Sequence, residues 1–214
     1  MGARGVANRF GGGEVKMLYE ICRVLVRILW TVFFRYESRG VHHIPEKGPV
    51  ILASNHLSNF DPMTLGLAVP RKVHYMAKEE LFRIPGFGSF IRALGAFPVK
   101  RGGVSKEAIR TALSVLGEGK VLGIFPEGSR KGVKVEGVSA GKRGAVSMAA
   151  RSGAAVIPVA IRGNYGLFRK MTAIYGAPLD LSPFLEPGSE DFEAATELMI
   201  SKIREMLRTG EPSQ

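Results

Sequence analysis

Short apolar runs bounded by glycine, proline and polar turns recur along this chain, and stretches of helical spacing separate them. Val50–Ser54, 73–77, Ala96–Val99, 120–125, 155–161 and Met171–Tyr175 read as strands. Between them, 62–68, 78–94 (broken at Pro85-Gly86), 105–116, 141–151 and 191–207 read as helices. Ser105 is placed as an N-cap, with Gly117 just past the end of that helix. In the last helix Phe192, Ala195, Leu198, Met199, Ile203, Met206 and Leu207 form one stripe, which is core rather than site. Alternation of strands and helices predicts a single α/β domain, a mostly parallel mixed sheet flanked by helices. No repeat or linker divides it, so it is expected to span 38–214.

Residues 1–14 are glycine-rich, lack an apolar period and are expected to be disordered. The stretch 15–37 predicts an amphipathic helix. Lys16, Glu20, Arg23 and Arg27 recur at steps of four, three and four, which places them on one face. The stretch has the roughly 20 residues that a membrane span needs. Two arginines near its centre would each cost about 2.5–3.5 kcal/mol there. An in-plane helix on the membrane surface avoids that cost: Arg23 and Arg27 would meet lipid phosphates while Leu25, Ile28 and Trp30 sink into the acyl boundary. Phe33 and Phe34 collect at the same end of the stretch. Packing of the helix on its own domain is the alternative.

Composition narrows the partners. Of 214 residues, 30 are Lys or Arg and 19 are Asp or Glu, a formal charge of +11, so anionic partners are expected. Mean hydropathy is +0.08, slightly apolar. The single cysteine, Cys22, excludes an intramolecular disulfide framework. The four histidines show no metal-ligand spacing, so neither a metal nor another cofactor is expected. A nucleic-acid-binding domain is the competing reading of the charge. The sequence offers it no zinc knuckle, aromatic RNA-binding strand or helix-turn-helix pattern.

Candidate chemistry starts at Asn55-His56, with Asp61 five positions beyond His56. His56 lies at the exit of a predicted buried strand. Asp61, just before Pro62, stands where an N-cap would. Such a strand-to-helix crevice is where α/β proteins hold ligands, and a carboxylate beside an imidazole fixes its tautomer. An ordinary surface histidine near an Asp-Pro helix start is the bland alternative. Three further blocks stand out. Lys100-Arg101-Gly-Gly follows a strand and suits a phosphate, with an ordinary solvated loop as the alternative. Phe125-Pro-Glu-Gly-Ser-Arg130 sets Glu127 at a strand end, as either a structural salt-bridge hub or a hydroxyl-holding group, where Gly128-Ser129 can turn N–H groups toward an anion beside Arg130. Pro158 interrupts an apolar strand, which marks an edge, a bulge or a wall against a ligand.

Taken together and in order, Asn-His-Leu-Ser-Asn-Phe-Asp at 55–61, Gly-Ala-Phe-Pro-Val-Lys-Arg at 95–101, Phe-Pro-Glu-Gly-Ser-Arg at 125–130 and Val-Ile-Pro-Val at 156–159 resemble the glycerolipid acyltransferase family. The bacterial 1-acylglycerol-3-phosphate acyltransferases are the specific likeness, and it covers roughly 40–205. The resemblance implies that His56 is the general base and Asp61 its orienting partner. Transfer would run directly from acyl-CoA or acyl carrier protein to the lysophosphatidate hydroxyl, giving phosphatidate. It further implies that Arg101, Glu127, Gly128 and Arg130 bind the glycerol phosphate. Lys100 and the Gly128 N–H are candidates for the thioester oxyanion, and Pro158 for the site wall. The expected place is the cytoplasmic face of the cell membrane. Glycerol 3-phosphate or another lysophospholipid is an alternative acceptor, and a catalytically dead lipid-binding protein on the same fold is a further alternative.

Overall fold

The computed structural model describes residues 12–99, 106–126, 134–135, 138–139, 143–186, 188 and 190–214. The chain runs through α1 (Gly12–Phe34), β1 (Glu37–Arg39), β2 (Val50–Ser54), α2 (Asp61–Gly66), β3 (Val73–Lys78), α3 (Phe87–Ala93), β4 (Ala96–Val99) and α4 (Lys106–Gly117). It continues through β5 (Val121–Ile124), a small hairpin of β6 (Lys134–Val135) and β7 (Val138–Ser139), α5 (Gly144–Ser152), β8 (Ala155–Gly163), β9 (Met171–Tyr175) and α6 (Phe192–Thr209). Seven strands make one sheet in the order β1-β9-β8-β2-β5-β3-β4, and every neighbouring pair is parallel except β8–β9. This is the mostly parallel α/β domain that the pattern predicts.

β2 is central, and all five of its residues are buried. Both faces of a parallel strand are covered by helices, which explains its unbroken apolar run. Its side chains alternate between two cores. Ile51 joins Leu122, Ile174, Leu116, Met199 and Ile203 on the side covered by α4, α5 and α6. Leu52 joins Val121, Ile157, Tyr175, Leu65 and Trp30 on the side covered by α1 and α2. Burying each such aliphatic side chain stabilises by about 1.5–3 kcal/mol.

Two expectations need correction. The break expected at Pro85-Gly86 within 78–94 is present, but the part before it is a 3-10 turn, Glu79–Arg83, instead of α-helix, and α3 follows. Gly86 between them has φ 73°, a left-handed conformation that no continuous helix contains. Strand β1 and the β6–β7 hairpin had no pattern to announce them. The disorder expected for 1–14 falls on residues outside the described ones up to 11; from Gly12 the chain is helical.

α1 presents two stripes. Tyr19, Arg23, Val26, Trp30 and Phe34 face the domain. The Tyr19 hydroxyl accepts from the Val73 N–H (3.3 Å), the Arg23 guanidinium donates to the Val69 carbonyl (2.6 Å), and Val26 and Phe34 pack on the core. Trp30, expected in the acyl boundary, is only 7% exposed. Its indole N–H has an acceptor in Thr64 Oγ1 (2.8 Å), and its ring packs edge-on to Phe34 and Phe60. Arg23, Trp30 and Phe34 therefore hold α1 to its own domain. Met17, Ile21, Leu25, Ile28, Val32 and Phe33 form the outward stripe and are exposed, as is Arg27. Among the described residues no helix is long and apolar enough to cross a membrane.

His74 on β3 carries a pH-dependent part of the stability. Burial, aided by the nearby Lys72 charge, pushes its imidazole down to about 4. Unfolded, it titrates near 6.5. The unfolded chain thus takes the proton first on acidification. The His74 contribution is full above about pH 6.5, falls between 6.5 and 4, and is gone below. Urea unfolding of wild type against His74→Gln should show a gap that narrows over this window by about 2–3 kcal/mol. A gap independent of pH would contradict the assignment.

Candidate active site

Because β2, β5, β8, β3 and β4 are mutually parallel, their C-terminal ends share one edge of the sheet. The segments 55–60 and 164–170 both open there, the second because β9 turns back antiparallel to β8. This edge is a natural crevice for a ligand.

Asn55 fixes the exit of β2. Its side chain is fully buried; Oδ1 accepts from the Ile161 N–H (2.8 Å) and Nδ2 donates to the Ile161 carbonyl (3.0 Å). An amide bonded twice to a neighbouring backbone extends the ladder by one side chain. Asn55 is thus a fastening, and the chemistry passes to the next residue.

His56 Nδ1 lies 2.6 Å from Asp61 Oδ2. The imidazole stacks on Phe125, with centroids 4.3 Å apart and planes 21° from parallel. Phe125 follows β5 directly, so the start of the 125–130 block forms one wall for the imidazole. Asp61 is fully buried. Its Oδ2 also accepts from the Leu57 N–H (2.5 Å) and the Ser58 N–H (2.7 Å), and Oδ1 accepts from the Tyr165 hydroxyl (2.6 Å). Burial of a carboxylate is costly unless donors surround it, and four do so here. Asp61 is not the N-cap that Asp-Pro suggested: Phe60 occupies the cap position with helical angles, and Asp61 is the first helical residue. Its carboxylate reaches back to the loop instead of down the helix. With Nδ1–H held by the carboxylate, the lone pair of the neutral ring is at Nε2.

A family model described as Acyltransferase matches residues 35–162. The chain belongs to this acyltransferase family. Among curated members, it is 33% identical to the 1-acyl-sn-glycerol-3-phosphate acyltransferase of Bacillus subtilis over 88% of this chain and 96% of that one. It is 30% identical to the enzyme of the same name from Streptococcus pneumoniae over 83% of this chain and 69% of that one. The fold matches the crystal structure of the 1-acyl-sn-glycerophosphate acyltransferase PlsC from Thermotoga maritima, with TM-score 0.72 and 24% identity over 94% and 82% of the two chains.

The acyltransferase domain brings only some of the sequence-derived site residues together. His56 and Asp61 are in contact. Lys100, Arg101, Glu127, Gly128, Ser129 and Arg130 lie outside the described residues; the strands preceding them, β4 and β5, end at the His56 edge. Pro158 is not brought to His56. It is buried within β8, an inner strand, with its ring on the α6 side beside Gly176 and Met206. Its carbonyl accepts from the Gly176 N–H (2.9 Å), so its ring nitrogen faces the same way, just past the last β9 residue. The missing N–H thus falls at the end of the β8–β9 ladder, where it forgoes only the reciprocal bond to Gly176. Tyr165 and Thr64 touch or adjoin the dyad without any pattern in the sequence marking them. Only the return of the chain after β8 reveals them.

Proposed function

We infer that this protein is a 1-acylglycerol-3-phosphate acyltransferase, which converts lysophosphatidate to phosphatidate in phospholipid synthesis. The observation that carries the mechanism is the His56–Asp61 contact at the sheet edge: with Nδ1–H committed to a buried carboxylate, Nε2 carries the lone pair of the neutral ring. Nε2 takes the proton of the acceptor hydroxyl as the oxygen attacks the thioester carbonyl carbon. The tetrahedral intermediate then collapses, the C–S bond breaks, and the imidazolium returns its proton to the departing thiolate. No acyl-enzyme is required. The donor is an acyl thioester of coenzyme A or acyl carrier protein. Lys100, Arg101, Glu127, Gly128, Ser129 and Arg130 are proposed to bind the glycerol phosphate and the oxyanion, as the motif resemblance implies.

The decisive assay incubates the purified protein with labelled acyl-CoA or acyl carrier protein and a panel of acceptors. Phosphatidate formed from 1-acylglycerol 3-phosphate is the expected product. If lysophosphatidate, glycerol 3-phosphate and other lysolipids all fail with both donors, the assignment is wrong.

The acceptor is an anionic lipid, and the outer surface of α1 suits its milieu. The exposed stripe Leu25, Ile28 and Phe33 continues into exposed Leu167 and Phe168, and Phe33 and Phe168 rings lie 6.4 Å apart. Arg35, Arg169 and Lys170 line a groove of about 420 Å³ beside Phe168. An apolar patch rimmed by cations fits the surface of an anionic bilayer. This patch supports a membrane-surface position, and we propose the cytoplasmic face of the cell membrane for it. Leu25→Glu with Ile28→Glu should abolish sedimentation with phosphatidylglycerol vesicles while leaving the melting temperature nearly unchanged. Undiminished sedimentation would remove α1 from the membrane contact.

A further inference from the structure

The segment 164–170 carries Tyr165 back to the dyad. Its ring packs edge-on to Phe34 of α1 (5.7 Å) and tilted against Phe60 (5.5 Å). Its hydroxyl lies 2.6 Å from Asp61 Oδ1 and 2.8 Å from Thr64 Oγ1. A phenol has one proton, and a carboxylate only accepts, so the proton goes to Asp61. Thr64 must then donate to Tyr165. The indole N–H of Trp30, which can only donate, points at the same Thr64 Oγ1 from 2.8 Å. The Phe60 carbonyl, 3.3 Å from Thr64 Oγ1, is the longer alternative acceptor. Donor and acceptor counting thus gives one direction of travel, Trp30 to Thr64 to Tyr165 to Asp61. Burial, and next the Asp61 charge, push the Tyr165 hydroxyl well above its ordinary range, which keeps it a protonated donor.

We propose that Tyr165 is a positioning residue for the His56–Asp61 dyad, its hydroxyl fixed by α1 through Thr64 and Trp30. The inference rests on the acyl-transfer reading above. Oδ2 serves His56 and two loop N–H groups, and a donor on Oδ1 sets the plane in which Oδ2 meets the imidazole. The segment that delivers this donor is fastened to the same helix. The Phe168 N–H donates to the Phe33 carbonyl (2.6 Å). Phe168 (φ 60°) and Arg35 (φ 44°) flank that bond in the left-handed region, which bulky side chains adopt only when their surroundings enforce it. α1 is therefore part of the catalytic frame on its inner face, whatever its outer face touches.

The test is steady-state kinetics with 1-acylglycerol 3-phosphate and acyl-CoA, or acyl carrier protein where that is the donor used, on Tyr165→Phe, Thr64→Val, Thr64→Ser, Trp30→Phe and His56→Ala. Tyr165→Phe and Thr64→Val should each lower kcat about tenfold with KM within about twofold. Thr64→Ser keeps the hydroxyl and should restore kcat. The Thr64→Val, Tyr165→Phe double variant should be no slower than Tyr165→Phe by more than about twofold, because both changes cut one chain of bonds. Trp30→Phe should slow kcat by a few-fold and add nothing to Thr64→Val. Wild-type kcat in Tyr165→Phe, or effects that multiply in the double variant, overturns the proposal. Should Tyr165→Phe not fold, equal rates for Thr64→Val and Thr64→Ser overturn it alone. A fully active His56→Ala would instead sink the general-base role of His56, and a wild type that forms no phosphatidate would sink the acyl-transfer reading, whereas a dead His56→Ala beside a fully active Tyr165→Phe sinks only the positioning role.

Discussion

His56→Ala should lower kcat for phosphatidate formation by about 10²–10⁴-fold, the range that a positioned general base supplies, with little change in KM for either substrate. The side chain sits against Phe125 and Asp61 at the sheet edge, and only 14% of it is exposed. Its removal leaves the fold's two cores untouched, so the melting temperature should move by only a few degrees. A hydroxyl is a weak nucleophile until its proton is taken, so loss of the base is felt in the chemical step, not in binding. A rate within tenfold of wild type would show that another group removes the proton.

Asp61→Asn should cost about as much activity, on the order of 10³-fold, and unlike His56→Ala it should also cost stability. Four donors converge on this carboxylate: His56 Nδ1, the Leu57 and Ser58 N–H groups, and the Tyr165 hydroxyl. An amide has one oxygen to offer them. Its NH2 must face either the two loop N–H groups with the imidazole or the phenol, and donor against donor leaves buried groups unsatisfied. A loss of about 1–3 kcal/mol in unfolding free energy follows. In addition, an NH2 turned to His56 would reverse the ring's tautomer and move the lone pair from Nε2 to Nδ1. Kinetics and chemical denaturation on the one variant check both effects. An Asp61→Asn protein that retains wild-type stability would mean that the converging donors find other partners.

The sheet was readable in the sequence because its strands are buried on both faces. Val50–Ser54 and Met171–Tyr175 lie wholly in the core, and each stands out as a short, mostly apolar run without a charge. α6 was equally plain: its N-cap Asp191 accepts from the Glu193 and Ala194 N–H groups, and Gly210 closes its end. The dyad was readable as a pair of residue types at a strand exit, but the bonding of Asp61 was not. Asp-Pro looks like a cap from local sequence, and the backward reach to Leu57 and Ser58 depends on how the loop curls. α1 misled in a similar way. Its apolar positions cover more than one face, so spacing alone does not say that Trp30 and Phe34 turn inward while Leu25 and Ile28 turn out. Tyr165 is more than a hundred residues from Asp61, and nothing near it in the chain predicts the contact.

That contact depends on the single reversal in an otherwise parallel sheet. Had the strand after β8 run parallel to it, the chain would have had to cross the sheet through a helix before pairing again. Segment 164–170 returns at once, with Leu167 and Phe168 exposed at its tip and Tyr165 anchored at its base. Surface loops ordinarily tolerate changes of length. This one is stretched between a buried carboxylate and the end of a helix, so its residue count is set from inside the protein. Its length is fixed from within, while the composition of its exposed tip, Leu167 and Phe168, answers to the surface outside.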